Sequence, residues 1–395
     1  MMKRRIFMDY AAGRNNPNAI YKEGRQARAR LEEARMRIAR VVGAATDEII
    51  LTSWGTDANN LAIISTLDKT SPPLSDPVAK WHAITSLLEH SSVLNAFRQL
   101  EEMGVDVTYL VPNQVGLISA KQVGEALRPE TRLVSIMYAN NEIGTTMPIK
   151  EITRLLRRNL SVFAPSDVAY GKHGQSLQSR QVPPTLFHSD CVSAPGFLPI
   201  NVRSLGVDMA TFSAAKFGGP SGVGFIFRRR GVVLRGERDI APVEMAMEMA
   251  GALEQAEKNR KKNVVRLTKL RDYLILNLLT SIPSLRLNGP TGEARLANNV
   301  NVTLPIDGEL AVLELDKAGI SASVGSACAF EEAGLAPRSL GGVGHVIMAI
   351  GRSKEVAQRS LRLSLGYPTS KSDCDYVVKK LNEIINKHTN LWQTK

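Results

Sequence analysis

Hydrophobic and polar positions along the first half of the chain predict helices and buried strands in turn. Over residues 27–42, apolar side chains recur in steps of four, three, four and three, which places them on one face of a helix. The β-branched run at residues 48–52 predicts a buried strand, and a tight turn at residues 53–56 leads into a helix over residues 58–67. Strand, turn and helix in this order form one half of an α/β unit.

The same alternation continues to residue 227. Further strands are predicted at residues 81–85, 107–110, 133–137, 186–189, 209–213 and 223–227, and further helices at residues 91–103 and 149–158. Strands that alternate with helices predict a mainly parallel sheet that is covered on both faces. The segment 161–184 is polar and rich in Ser, Gln and Pro, which predicts a surface insertion.

After Pro242 the pattern changes. Residues 244–279 contain no proline or turn cluster, so they predict one long helix or a helix pair that leaves the first domain. Strands at 299–303 and 361–364, with helices at 310–317 and 374–387, predict a smaller α+β domain. We therefore expect an α/β protein with a large domain at residues 15–250. The small domain would comprise residues 251–395 together with the N-terminal segment 1–14.

Composition narrows the class of protein. The 395 residues are 44% hydrophobic and 22% charged, which is typical of a globular protein and excludes a disordered chain or a collagen-like fibre. No apolar run is long enough to span a membrane, and the N-terminus does not resemble a signal peptide. The net charge of +12 would suit nucleic acid, but the basic residues are spread along the chain. We therefore expect a basic enzyme with no membrane partner and no direct nucleic-acid partner.

The cysteines indicate the redox environment. Cys191, Cys328 and Cys374 lie far apart and form no CxxC pair, so the sequence predicts neither a disulfide framework nor a metal site. A reducing, cytoplasmic environment is expected for such a chain.

Chemically capable side chains follow several predicted strands. Lys216 precedes a glycine-rich stretch, which permits the close approach that a Schiff-base lysine needs, although a solvated lysine is the commoner case. Asp190 ends a strand, where its carboxylate could hold a pyridine nitrogen or could cap the next helix. The turn at Gly55 and Thr56 opens a helix, whose backbone N–H groups could hold a phosphate.

Three further positions add to this set. His90 could stack on an aromatic cofactor, or it could cap a helix or lie in the core. The pair Asn140 and Asn141 after a strand suggests polar recognition. Arg362 interrupts an apolar strand and needs a carboxylate partner, which a substrate could supply. His, Asn, Asp and Lys at successive strand ends occur in an order that pyridoxal phosphate chemistry would need.

Nine short motifs carry a family resemblance. They are Asp9-Tyr-Ala-Ala, Asp47-Glu-Ile-Ile-Leu-Thr-Ser, Gly55-Thr-Asp-Ala-Asn-Asn-Leu-Ala-Ile, Glu89-His, Ala139-Asn-Asn-Glu-Ile-Gly-Thr, His188-Ser-Asp, Lys216-Phe-Gly-Gly-Pro-Ser-Gly, Val324-Gly-Ser-Ala-Cys and Leu361-Arg-Leu-Ser-Leu-Gly. In this order the chain resembles the cysteine desulfurases, in the class V branch of fold-type I pyridoxal-phosphate enzymes. The Gly-Ser-Ala-Cys form resembles group I, which is linked to iron–sulfur cluster assembly and tRNA thiolation.

The resemblance implies a fold and a set of roles. The fold would be that of a fold-type I transferase, with a mainly parallel seven-stranded-type sheet in the large domain and a small α+β domain. Lys216 would hold pyridoxal 5'-phosphate and handle protons at the substrate Cα, and Cys328 would attack the substrate sulfur, leaving alanine and a persulfide. The other implied roles are pyridine pairing by Asp190, ring stacking by His90, phosphate binding by Gly55, Thr56 and Ser213, a cofactor contact from Ser193, and carboxylate binding by Asn141 and Arg362.

The resemblance also implies partners. These are L-cysteine as substrate, a second copy of the chain in a homodimer, and a sulfur-acceptor protein that is either an iron–sulfur scaffold or a tRNA-thiolation enzyme. Cys191 and Cys374 have no motif around them and are expected to be structural. A buried structural thiol is the alternative for Cys328.

The chain departs from the family pattern at four places. Ala215 stands where histidine is usual, Ser193 where glutamine is usual, and Ile240 where a threonine reaches the partner's phosphate in a stretch that is shortened here. An N-terminal helix is deleted before Asn16, and the loop after Cys328 is longer than usual. Two of these changes remove phosphate contacts, which Arg235 or Arg238 could replace. Two alternatives to a cysteine desulfurase therefore stay open. The chain could be another class V lyase or aminotransferase, or it could be a non-catalytic partner protein that retains the fold.

Overall fold

Two β-sheets and the helices around them form the protein. The computed structural model describes residues 6–13, 16–66, 81–163, 185–236, 241–325 and 344–393. The strands are β1 Ile49–Thr52, β2 His82–Ser86, β3 Asp106–Leu110, β4 Thr131–Ser135, β5 Leu186–Asp190, β6 Met209–Ser213, β7 Gly224–Arg228, β8 Arg286–Leu287, β9 Asn299–Thr303 and β10 Ser360–Ser364. The α-helices are α1 Lys22–Val42, α2 Gly55–Ile64, α3 Ser91–Glu102, α4 Ala120–Ala126, α5 Ile149–Phe163, α6 Val202–Leu205, α7 Val243–Ser281, α8 Gly308–Lys317, α9 His345–Ala349, α10 Lys354–Gln358 and α11 Lys371–Gln393.

The larger sheet has seven strands within the described residues, in the order β1-β7-β6-β5-β4-β2-β3. β7 pairs antiparallel with both of its neighbours, and the remaining four pairs are parallel. The expected mainly parallel seven-stranded sheet is confirmed. Since β1 and β6 are both antiparallel to β7, the carboxyl ends of β1, β2, β4, β5 and β6 lie at one edge. That edge is where open α/β sheets bind ligands.

The smaller sheet has three antiparallel strands in the order β10-β9-β8. Its buried face packs with α8 and α11 around a hydrophobic core of its own, which includes Val300, Leu361 and Leu381. The strands predicted near residues 299–303 and 361–364 are confirmed as β9 and β10. The smaller sheet follows the larger one in the chain, as the change of pattern after Pro242 predicts.

Helix α7 joins the two cores. Residues 244–279 form part of one continuous helix of 39 residues, so the alternative of a helix pair is wrong. Its first half contributes Ala246 and Leu253 to the core beneath the large sheet. Its second half contributes Leu267 and Leu274 to the core of the small sheet. The division into domains at residues 250 and 251 stays a prediction.

Several element boundaries differ from the sequence expectation. α1 begins at Lys22, whereas the sequence pattern predicts a start at Ala27. The pattern does not include the first turn of the helix, because that turn is mostly exposed and polar and carries no apolar periodicity. The short helices α4 and α6 were not predicted; each begins after a capping side chain, Ser119 or Asn201, and is too short to show a period. The strand predicted at residues 133–137 lies two residues earlier, as β4. Most of the expected insertion at residues 161–184 lies outside the described residues.

No helix in the described ranges combines the length and the apolar character needed to cross a membrane.

Candidate active site

Asp190 ends β5 at the ligand edge of the large sheet, and its carboxylate is held from two sides. The backbone N–H of Val192 donates to Oδ1 at 2.9 Å, and the side-chain amide of Asn59 donates to Oδ2 at 2.9 Å. The hydrogen bond from the Val192 N–H spans only two residues of the chain, and the next helix begins at Val202. The helix-cap alternative for Asp190 is therefore wrong.

Asn59, on α2, is a site residue that the sequence reasoning missed. It is buried, and its Nδ2 donates to Ser92 Oγ at 3.0 Å as well as to Asp190. Its Oδ1 accepts from Thr211 Oγ1 at 2.6 Å. The sequence signal that could have identified it is an asparagine beside Ala58 and Ala62, on the buried face of a helix that begins at the ligand edge.

His90 follows β2 and is the N-cap residue of α3. Its Nδ1 accepts from the backbone N–H of Ser92 at 3.2 Å and lies 2.9 Å from the Ser92 hydroxyl. The capping alternative for His90 is therefore confirmed, and it leaves the ring partly exposed at the ligand edge. Because a backbone N–H can only donate, Nδ1 is an acceptor and the ring proton of the neutral imidazole is on Nε2.

The beginning of α2 approaches the end of β6. A Cβ on Gly55 would lie only 3.1 Å from the Cβ of Ser213, so the absence of a side chain favours this close approach. The residue before the helix, Trp54, provides no side-chain cap, so the first N–H groups of α2, which include that of Thr56, have no such acceptor. This geometry suits an anionic group between α2 and Ser213.

Lys216 and Ala215 lie in the short 3-10 turn that follows β6. The turn comprises Ala214–Lys216, and both Ala215 and Lys216 are exposed. Gly219 packs against Ala214, where a Cβ would come within 2.8 Å of the alanine Cβ. The turn therefore lies at the ligand edge, next in the chain to Ser213 and to its contact with Gly55. Ser193 is half-buried in the turn after Asp190.

The two consecutive asparagines after β4 have different roles. Asn140 is buried, and its Oδ1 accepts from the backbone N–H groups of Glu142 and Ile143, each at 2.9 Å. Its Nδ2 donates to the carbonyl of Leu88 at 3.0 Å. Asn140 therefore shapes the loop. The Asn141 side chain is half-buried and makes no hydrogen bond to the described residues.

Arg362 lies in β10 of the small sheet. Its backbone forms a bridge with Ser323, in which Arg362 N–H donates to the Ser323 carbonyl at 2.6 Å. Opposite Arg362 in β9 is Asn301, whose Nδ2 donates to the carbonyl of Glu142 at 3.1 Å. The small sheet therefore brings Arg362 close to the loop that carries Asn141.

Glu89 is buried directly before His90 in the chain, next to the site. Its carboxyl is completely buried, and Oε1 accepts from the Ser86 hydroxyl at 2.7 Å and from the Met137 N–H at 3.0 Å. Burial, with a smaller contribution from the nearby charge of Asp190, raises the pKa of Glu89 to about 8. The side chain is therefore mainly protonated near neutral pH.

Other candidate residues fall outside this region. Cys328, Ile240 and Arg238 lie outside the described residues. Cys191 and Cys374 are buried, and desolvation raises the pKa of both thiols, which suits the structural role expected for them. In the described part of the chain, no cluster of His, Cys, Asp and Glu side chains could hold a metal ion.

The side chains at the ligand edge fit pyridoxal phosphate. The helix start at Gly55 and the Ser213 hydroxyl offer donors to a phosphate. The buried carboxylate of Asp190 offers an acceptor to a protonated ring nitrogen, and Lys216 offers an amine to an aldehyde. Ala215 has no polar side-chain group. The site therefore lacks the phosphate donor that the histidine usual at this position provides.

Comparison with known proteins shows the family of the chain. The model of the family "Aminotransferase class-V" matches residues 4–182 and 178–238. The chain is similar to the cysteine desulfurase IscS of Dictyoglomus turgidum, with 35% identity over 98% of this chain and 96% of the relative. It is also similar to IscS of Methanosarcina thermophila, with 36% identity over 95% of this chain and 86% of the relative.

Solved structures give the same result. A NifS-like protein superposes with a TM-score of 0.78 at 28% identity, over 94% of this chain and 91% of the other. DndA from Streptomyces lividans superposes with a TM-score of 0.65 at 28% identity, over 88% of this chain and 91% of the other. The chain therefore belongs to the class-V aminotransferase family of pyridoxal-phosphate enzymes, in its cysteine desulfurase branch.

Proposed function

We propose that this protein is a pyridoxal-phosphate-dependent cysteine desulfurase that converts L-cysteine to L-alanine and mobilises the sulfur. The observation that carries the proposal is the full-length similarity to cysteine desulfurases combined with the side chains at the edge of the large sheet. Neither feature suffices alone, since one fold hosts many activities.

Substrate binding is assigned to the junction of the two sheets. Arg362 and Asn141 are proposed to hold the carboxylate of L-cysteine, because a guanidinium and an amide are well suited to carboxylate oxygens. The support is the contact of Asn301, opposite Arg362, with the carbonyl of Glu142 next to Asn141. The small sheet and the Asn141 loop would therefore bind one substrate molecule together.

Cofactor binding is assigned to the large sheet. Asp190, His90, Gly55, Thr56, Ser193 and Ser213 are the proposed contacts. When bound, pyridoxal phosphate supplies an electron sink for bond changes at the substrate. Lys216 is proposed to hold the cofactor and then to move a proton at the substrate Cα, since its amine is on a turn that presents it at the same edge.

Sulfur transfer is assigned to Cys328. Its thiolate would attack the sulfur of the bound L-cysteine, forming an S–S bond as the C–S bond of the substrate breaks. The carbon takes up the electron pair and a proton, so that one L-cysteine and one thiol yield one alanine and one persulfide. The support is the position of Gly325, three residues before Cys328, where a Cβ would lie 3.4 Å from Glu142 Oε2.

The setting of the enzyme follows from the branch to which it belongs. We propose a cytoplasmic homodimer that passes sulfur to an acceptor protein of iron–sulfur cluster assembly or of tRNA thiolation. The absence of any CxxC pair among the three cysteines agrees with a reducing compartment.

The test is to incubate the purified chain with pyridoxal phosphate and L-cysteine, and to measure alanine and, with a reductant present, sulfide. The wild type should release both in equal amounts, and Lys216→Ala should release neither and should form no covalent adduct with the cofactor after borohydride treatment. Release of pyruvate in place of alanine would favour another class V lyase. A wild type that binds the cofactor and turns over nothing would favour the non-catalytic partner protein.

A further inference from the structure

One polar network joins the carboxylate of Asp190 to the ring of His90, and Asn59 lies at its centre. Asn59 is 1% exposed, and its amide makes three hydrogen bonds, to Asp190, Ser92 and Thr211. The hydroxyl oxygen of Ser92 in turn lies 2.9 Å from His90 Nδ1. All of the hydrogen-bonding groups of the Asn59 side chain are therefore used inside the site.

The directions of these bonds follow from the donors available. The ionised Asp190 carboxylate can only accept, so the Nδ2 side of the Asn59 amide must face it, and Oδ1 faces the Thr211 hydroxyl. The second proton of Nδ2 is donated to Ser92 Oγ. The Ser92 hydroxyl can then donate its own proton to His90 Nδ1, which already accepts from the Ser92 backbone.

We propose that Asn59 is a positioning residue for the cofactor site, which holds Asp190 in place and connects it through Ser92 to the His90 ring. The inference rests on the proposed function for the identity of the cofactor. Asn59 needs no contact with the cofactor for this role. Its effect on cofactor affinity is exerted through Asp190, and removing its amide leaves one carboxylate oxygen without this donor.

A double-mutant cycle tests this role through the affinity for pyridoxal phosphate, measured on the full chain in the absence of L-cysteine from the visible absorption of the bound cofactor. Loss of a hydrogen bond to a charged group should make Asn59→Ala bind about ten- to a hundred-fold more weakly than the wild type. In the Asp190→Asn background, the same substitution should have an effect about tenfold smaller, because the charged acceptor is gone.

Asn60→Ala is the matched control, since Asn60 is half-buried, lies on the same helix, and its side chain makes no hydrogen bond to the described residues. It should bind the cofactor as the wild type does. Equal losses from Asn59→Ala in both backgrounds would indicate a merely structural role and overturn the proposal. Wild-type affinity in Asn59→Ala would overturn it as well.

A second pair of variants covers the case in which Asn59→Ala does not unfold cooperatively. Asn59→Asp has the same shape and adds a carboxylate next to Asp190, where the two groups would share a proton. It should bind the cofactor at least about tenfold more weakly than Asn60→Asp, which makes the same substitution one residue further along. Equal affinity of these two variants would overturn the proposal. Because no substrate is used, a wild type that binds the cofactor but releases no alanine contradicts the proposed function alone.

Discussion

Asn301 lies directly opposite Arg362 in the pairing of β9 with β10, and its side chain donates to the carbonyl of Glu142 at 3.1 Å. Opposite residues of an antiparallel pair present their side chains on the same face. The Arg362 side chain therefore projects on the face that contacts the Asn141 loop. Asn299, two residues away, adds a second bond to the Glu142 carbonyl at 2.9 Å.

Asn301→Ala should raise KM for L-cysteine about two- to tenfold and leave the affinity for pyridoxal phosphate unchanged. The neutral hydrogen bond from Asn301 to the Glu142 carbonyl contributes about 0.5–1.5 kcal/mol, and its loss loosens the loop that carries Asn141. The variant also loses the bond that Asn301 Oδ1 accepts from Asn288 Nδ2 at 2.9 Å, which lies within the small sheet. The measurement is steady-state kinetics at saturating cofactor. Asn386→Ala, the same change at an exposed position of α11, is the control. A parallel loss of cofactor affinity in Asn301→Ala would contradict this assignment.

Ala215→His should slow the loss of cofactor during dialysis about ten- to a hundred-fold. Ala215 is exposed next to Lys216, so a larger side chain fits, and a charge-assisted hydrogen bond to phosphate contributes about 1.5–3 kcal/mol. Ala215→Leu is the matched control, since it adds bulk without a hydrogen bond. If the histidine variant loses cofactor at the wild-type rate, the phosphate has sufficient donors without residue 215.

Cys328→Ser should bind pyridoxal phosphate normally, release no sulfide and accumulate no persulfide, because a serine hydroxyl is a poor nucleophile towards sulfur. Mass spectrometry of the wild type after incubation with L-cysteine should show an added sulfur on the peptide that contains Cys328. Cys374→Ala serves as control for the loss of a thiol, because Cys374 is buried. Sulfur found only on Cys191 or Cys374 would rule out the assigned transfer step.

Glu89→Gln should reduce the pH dependence of stability. The unfolded carboxyl ionises above its ordinary pKa of 4.5, whereas the folded carboxyl keeps its proton up to about 8. The unfolded state then binds fewer protons, so the free energy of unfolding of the wild type falls as pH rises through this interval. Between pH 6.5 and pH 8, Glu89 should contribute a decrease of about 1–2 kcal/mol that Glu89→Gln lacks.

Urea titrations of both proteins at these two pH values measure the difference. Burial lowers the pKa of His82 to about 4 and that of His188 to about 3, so these side chains also make stability depend on pH, up to their unfolded value of 6.5. Both proteins contain them, so their contribution cancels in the difference. Identical pH slopes for wild type and Glu89→Gln would show that Glu89 is ionised in the folded protein.

Local patterns in the sequence are enough to predict the class of fold and most positions at the ligand edge. Alternating strands and helices require a parallel sheet, and a parallel sheet brings the residues after its strands to one edge. Asp190, His90 and Lys216 follow β5, β2 and β6, so their common location follows from local pattern and chain direction. The motifs then supplied the family, because their order along the chain is specific.

The side chains that support the site are identified only from contacts in the folded protein. Asn59 and Glu89 belong to no periodic pattern, and each has a partner far away in the chain: Asp190, 131 residues from Asn59, and Met137, 48 residues from Glu89. The difference between Asn140 and Asn141 also depends on contacts with Leu88, which follows β2, and with the loop itself. Local sequence encodes the period of an element and its direction. Hydrogen bonds between elements depend on register and packing, which arise only when the sheets and helices assemble.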